Sequence, residues 1–242
     1  MSEATTAPRG GSSYIAGLLG GVAGAVLTAA VLVFAAPQLV GPRLVRQALL
    51  SNPRILVETA DALRDQQYAP TLAQYRRDLE TPFGSSWKGS DKPDITLVEF
   101  FDYACGYCRA SNPHIDRLVA EDPKLRVVYR EFPILGADSV AAARLSLAAS
   151  KIGRFRQFHD SLYAAGRPSP ETLTLAARAA GLPPQAGTDP SAEAELKRNF
   201  ELAGQLGATG TPLFVVGNKV MNSAVGYDAL KKAVADARAA KS

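Results

Sequence analysis

The chain has 242 residues, 27 Lys+Arg against 23 Asp+Glu, and a formal net charge of +4. Apolar residues make up 47% and charged residues 21%, which excludes a wholly disordered chain, a collagen and a coiled-coil rod. Lys and Arg form no long block, so nucleic acid is not an expected partner, and two cysteines are too few for a disulfide scaffold.

Residues 1–13 read as a short polar tail, with only Glu3 and Arg9 charged. Tyr14 to Ala36 then runs 23 residues without a charge. At about 1.5 Å per residue such a helix spans a bilayer core of roughly 30 Å, so 14–36 is expected to be a transmembrane anchor or uncleaved signal. Cleavage is disfavoured because the small-residue site Ala35-Ala36 is followed by Pro37. Gly17/Gly21 and Gly20/Gly24 make G-x-x-x-G pairs, which suit close helix packing as well as ordinary membrane-helix composition. Arg43, Arg46 and Arg54 follow the run and outnumber Arg9 before it, so the positive-inside rule points the C-terminal side toward the cytoplasm.

Residues 43–80 read as a helical stalk. Asn52-Pro53 can start a helix, and Ile55, Leu56, Thr59, Ala60 and Leu63 follow at helical spacing, with a further helix after Pro70. Such an amphipathic stalk either self-associates or folds back on its own domain. Pro82 to Pro93 reads as a linker.

Asp94–Asp102 reads as a buried strand, Cys105 to about Glu121 as a helix, and Leu125–Phe132 as a second strand. Residues 138–205 are expected to be helical, broken at Gly153, Gly166-Arg167-Pro168, Pro183-Pro184 and Asp189-Pro190. Leu213–Val216 and Lys219–Met221 form a hairpin around Gly217-Asn218, and Tyr227–Ala240 a closing helix. This order fits one α/β sheet layered with helices.

Cys105-Gly106-Tyr107-Cys108 lies at the strand-to-helix junction. A sulfur at a helix start meets unpaired N–H groups and the positive end of the helix dipole, which favour a thiolate. The second sulfur lies one turn on and can close a small disulfide. The pair can therefore attack a foreign disulfide or donate its own, with Cys105 the exposed nucleophile and Cys108 the resolving thiol. A C-x-x-C is also half a zinc site. A second pair is absent, and His114 and His159 are the only histidines, so no metal is expected. Inert buried thiols are the other alternative.

Glu99 sits six residues before Cys105 in an apolar strand. It is either a buried acid able to relay the Cys108 proton or a residue on a solvent face. Thr209-Gly210-Thr211-Pro212 precedes another apolar strand, as a cis-proline loop or an ordinary turn.

Three segments together resemble DsbA-type thiol–disulfide oxidoreductases of the thioredoxin superfamily. They are Val98–Cys108, Tyr129–Gly136 and Gly207–Val215. The resemblance implies a thioredoxin-like fold with an inserted helical domain at about 138–205, the whole domain covering 82–242. It implies Cys105 as nucleophile, Cys108 as resolving thiol, Pro212 as the cis proline, Thr211 as a backbone contact for substrate, and Glu99 as the buried acid. The Gly106-Tyr107 dipeptide, with Thr before the proline, departs from the oxidases and is similar to the disulfide isomerases. Segment 43–67 resembles the N-terminal helix of ScsC/Com1-like proteins, some of which trimerise. The implied function is a cell-envelope thiol–disulfide oxidoreductase acting as an isomerase. Its site would be formed by the Cys105–Cys108 redox pair without other cofactor and by Gly106, Tyr107, Thr211 and Pro212 as substrate-binding residues. Implied partners are cysteine-containing clients, a membrane redox partner and further copies as a dimer or trimer. The implied location is inner-membrane anchored with the catalytic domain in the periplasm, where client disulfides persist, and the opposing Arg43/Arg46 bias must then be tolerated. The alternatives are a DsbA-type dithiol oxidase and a Cu(I)-binding metal-tolerance protein.

Overall fold

The computed structural model describes residues 36–241. The tail and all but the last residue of the expected anchor, 14–36, lie outside the described residues. Among the described residues no helix is long and apolar enough to cross a membrane. The chain divides after Ala62 into two compact units.

In the first unit, helix α1 (Ala36–Ser51) ends one residue before Asn52-Pro53, and helix α2 (Arg54–Glu80) begins just after. Pro53 has no N–H to continue the first helix, while the Asn52 carbonyl accepts the Ile55 N–H at 3.2 Å and opens the second. Leu44, Val45, Leu50, Leu56 and Val57 are all exposed. Contrary to the expected break, α2 runs through Pro70, which costs one backbone hydrogen bond and does not end the helix.

The second unit begins at Leu63, inside α2. Tyr68, Leu72, Tyr75 and Leu79 form a stripe at helical spacing, and Leu72 and Leu79 are buried in a cluster with Val98, Phe100, Val128 and Leu213. The C-terminal part of the segment read as a stalk, 43–80, is a layer of the domain. Strand β2 (Ile95–Phe101) is buried at all seven positions, so both faces of the sheet need a cover, and α2 supplies part of one. Leu72→Ala is expected to cost about 2–5 kcal/mol in urea unfolding, whereas Leu56→Ala is expected to stay within about 0.5 kcal/mol. Equal costs for the two would contradict this layering.

Among the described residues the sheet has five strands in the order β1-β3-β2-β4-β5. Strand β1 (Trp87–Gly89) falls inside the expected linker. It is three residues long and has no hydrophobic alternation to betray it. Gly89 closes it at φ +96, where a Cβ would lie 2.3 Å from the Leu125 carbonyl. Strand β3 (Leu125–Glu131) runs parallel to β2 with Glu99 opposite Tyr129, the connection being helix α3 (Gly106–Glu121). Strand β4 (Leu213–Val216) runs antiparallel to β2 with Glu99 opposite Phe214, and β5 (Lys219–Met221) completes the hairpin.

Between β3 and β4 lie α4 (Ala137–Lys151), α5 (Phe155–Ala165), α6 (Pro170–Ala179), a short 3-10 turn (Ala186–Thr188) and α7 (Pro190–Gln205). Their starts follow chemistry readable in the chain. Ser169 and Thr172 form a capping box ahead of Pro170, and Asp189 caps α7 ahead of Pro190. Helix α8 (Tyr227–Ala239) closes the fold. One core, with Leu97, Phe101, Cys108, Phe158 and Leu230, and a second, with Val98, Phe100 and Leu202, occupy the two sheet faces. The result is a thioredoxin-like α/β fold with a helical insertion.

Candidate active site

Strand β2 ends at Phe101 and the chain turns at once. The Asp102 carboxylate accepts the Ala104 N–H at 2.8 Å, and the Asp102 carbonyl accepts the Cys105 N–H at 3.0 Å. Cys105 is the N-cap of α3, in extended conformation, with no side chain capping the helix. Its sulfur therefore sits where the helix leaves N–H groups unsatisfied and its dipole is positive.

The sulfur donates to the Thr211 carbonyl at 3.3 Å. The Thr211-Pro212 peptide bond is cis, Pro212 is buried, and β4 starts at the next residue. The Thr211 loop covers the sulfur, so Cys105 is not the exposed residue expected: it keeps 6% of its surface, against 0% for Cys108. Both thiols are free. Burial first, then the Glu99 charge, push the Cys108 thiol far above the usual thiol range.

Glu99 does not lie on a solvent face. It is buried in mid-strand, and neither carboxylate oxygen has a hydrogen-bond partner among the described residues. Its strand neighbours on the same face, Leu97 and Phe101, belong to the core that holds both cysteines. Burial pushes the Glu99 carboxyl well above the ordinary carboxylate range, the nearby Lys88 charge opposes this, and Cys105 and Asp116 reinforce it.

Lys88 carries no signal in the sequence, since it sits in the unforeseen strand β1. Its buried ammonium lies 3.0 Å from Asp116 on α3 and 2.9 Å from Asp160 on α5. Asp160 also pairs with buried His159 at 2.9 Å, so this histidine serves the core. Among the described residues no group of three His, Cys, Asp or Glu is placed to hold a metal.

Gly106 opens α3, and a Cβ there would meet nothing within 4 Å, so its smallness is not a steric demand. Tyr107 is 70% exposed beside the cysteines. Ile134 and Leu135, after β3, are also exposed. Their N–H groups donate to the Asp102 carboxylate, each at 2.9 Å. Sequence reading assigned Asp102 no role, because a strand-end aspartate reads simply as turn chemistry.

Strand, cysteine pair at a helix start and proline loop across from it define a thioredoxin-like dithiol protein. Residues 96–235 match the model of the DSBA-like thioredoxin domain. The chain belongs to that family. It is similar to a thioredoxin-like oxidoreductase from Silicibacter pomeroyi (37% identity, 68% of this chain and 98% of that one, TM-score 0.64). It is also similar to a periplasmic thioredoxin-like protein from Salmonella enterica serovar Typhimurium (28% identity, 69% and 97%, TM-score 0.63). A mutant of Proteus mirabilis ScsC with a shortened linker matches over more of this chain (28% identity, 86% and 97%, TM-score 0.65). Parts of two sodium/proton antiporters also match. That of Salinispora tropica is 32% identical over 79 residues, and that of Salinispora arenicola 27% identical over 157 residues. The chain spans only 12% and 24% of those two relatives' lengths.

Proposed function

We propose that the chain is a cell-envelope thiol–disulfide oxidoreductase that exchanges and isomerises disulfides in client proteins. The observation that carries this is the dithiol itself: Cys105 at the start of α3 beneath the Thr211 carbonyl, and Cys108 one turn on and fully buried, within reach of the Glu99 charge. Cys105 as thiolate attacks a client disulfide. A Cys105–client S–S bond forms, the client S–S bond breaks, and the freed client thiolate takes a proton. A different client thiolate then attacks the mixed disulfide, leaving a rearranged client and reduced Cys105. Alternatively Cys108 gives up its proton, attacks the Cys105 sulfur and releases a reduced client, leaving the Cys105–Cys108 disulfide. Run in reverse, this second route oxidises a client dithiol. Glu99 accepts the Cys108 proton, while Thr211, Pro212, Gly106 and Tyr107 frame the client segment.

The Gly106-Tyr107 pair favours isomerisation over a dedicated oxidase. The exposed apolar residues of α1 and the start of α2 suit contacts between copies of the chain, which would set several dithiols around one client. The expected anchor at 14–36 and the periplasmic relative support an envelope location, and a membrane redox partner would reset the pair.

The test supplies residues 37–242 with a scrambled multi-disulfide enzyme in mild reductant, and in parallel with the fully reduced enzyme. Recovered activity from the scrambled form is expected. Removal of residues 37–62 is expected to lower unscrambling at least tenfold and thiol oxidation much less. Fast oxidation without unscrambling would make the chain an oxidase, and failure in both would remove the exchange reading.

A further inference from the structure

Strands β2 and β3 stop pairing together, and the Phe132 N–H donates to the Phe101 carbonyl at 2.8 Å as the last rung. Beyond that rung the two chains diverge. One becomes the turn that carries Cys105, the other the exposed Ile134-Leu135 segment ahead of α4. The Asp102 side chain spans the gap. Asp102 is buried, and its carboxylate accepts Ala104 N–H on one oxygen and both Ile134 and Leu135 N–H on the other.

We propose that Asp102 is a positioning residue, holding the Cys105 turn and the apolar Ile134-Leu135 lip in one fixed relation, so that the lip selects client segments with an apolar residue beside the cysteine. This rests on the exchange function proposed above.

The chemistry requires a carboxylate. Both Asp102 oxygens act as acceptors, one for the Ala104 N–H and the other for the Ile134 and Leu135 N–H groups. Asparagine offers one acceptor oxygen and an NH2 donor, so at least one of the two loops meets a donor where it needs an acceptor. The Ile134 and Leu135 N–H groups donate to Asp102 and not to the neighbouring Glu131, whose carboxyl burial pushes well above the ordinary range. Ile134 and Leu135 belong to none of the hydrophobic cores and keep 39% and 50% of their surface exposed. Their N–H groups are held by the carboxylate of Asp102, whose own backbone carbonyl accepts the Cys105 N–H, while both residues stay exposed.

The experiment measures second-order rates of the reduced full chain with two peptide disulfides of the same length, one with Leu flanking the cysteine and one with Ser. The wild-type chain is expected to prefer the Leu peptide at least fivefold. Asp102→Asn and Leu135→Ser are each expected to reduce that preference below twofold, and the double variant to add no further loss. A preference kept in Asp102→Asn while both rates fall together would reduce Asp102 to a structural role and overturn the proposal. A preference kept in Leu135→Ser, or no preference in wild type, would also overturn it. Should Asp102→Asn not fold, Leu135→Ser at the surface decides alone. A wild-type chain that reduces neither peptide overturns this proposal and the exchange function together, whereas uniform losses in the variants overturn only this one.

Discussion

Cys105→Ser is expected to lower turnover of any disulfide client to background, a loss of at least a thousandfold, while Cys108→Ser accumulates a mixed disulfide between Cys105 and the client. The asymmetry follows from position. Cys105 caps α3 with part of its surface open and its sulfur beneath the Thr211 carbonyl, whereas Cys108 is closed off entirely. A thiol that no client can reach can attack only its neighbour. Removing Cys108 therefore spares the first attack and removes the intramolecular escape from the mixed disulfide. Non-reducing gels after incubation with an envelope extract would read the adduct. No adduct with Cys108→Ser, or an equal adduct with Cys105→Ser, would contradict these roles.

Glu99→Gln is expected to flatten the pH dependence of both stability and resolution. The folded-state carboxyl sits well above 4.5, the value expected for it in an unfolded chain. Below about pH 4.5 both states hold the proton, and the full contribution to stability is present. Above it the unfolded chain releases the proton and the folded chain keeps it, so rising pH favours unfolding by about 1.4 kcal/mol per pH unit until the raised folded value is passed. Glu131 adds a slope of the same sign, and buried His159, held low by its burial, adds one of opposite sign in acid. Both are common to wild type and variant, so the difference between the two isolates Glu99. Urea unfolding at pH 5 to 7.5 is expected to show the variant gaining on wild type by about 1.4 kcal/mol per pH unit over the early part of that range. Cys108 resolution of a mixed disulfide should also accelerate with pH in wild type, as Glu99 ionises and can accept the thiol proton. The variant should lack this rise and resolve at least tenfold more slowly at high pH. Parallel stability curves would contradict a raised Glu99, and parallel resolution curves its part in proton transfer.

The long elements were legible because their signals are local. Apolar β2, the C-x-x-C after it and the capped, proline-started helices of the insertion are all read within a few residues of themselves. The two residues that complete the site were not. Lys88 belongs to a three-residue strand whose existence depends on pairing with Val127, nearly forty positions away. Asp102 takes its meaning from N–H groups more than thirty positions on. The apolar stripe at Tyr68, Leu72, Tyr75 and Leu79 was readable as amphipathic. What it packs on was not, because a helical stripe specifies that it will be covered and not by what. The reduced exposure of Cys105 has the same origin, since the covering Thr211 loop arrives from 106 residues away.

The division of labour between the two sulfurs is tested most directly by timed alkylation of the reduced, full chain at pH 7, with each site read by peptide mass. Cys105 is expected to react at least a hundredfold faster than Cys108, since only Cys105 has open surface and burial holds the proton on Cys108. Modification of Cys108 at an equal or greater rate would contradict the assignment of Cys105 as the attacking sulfur.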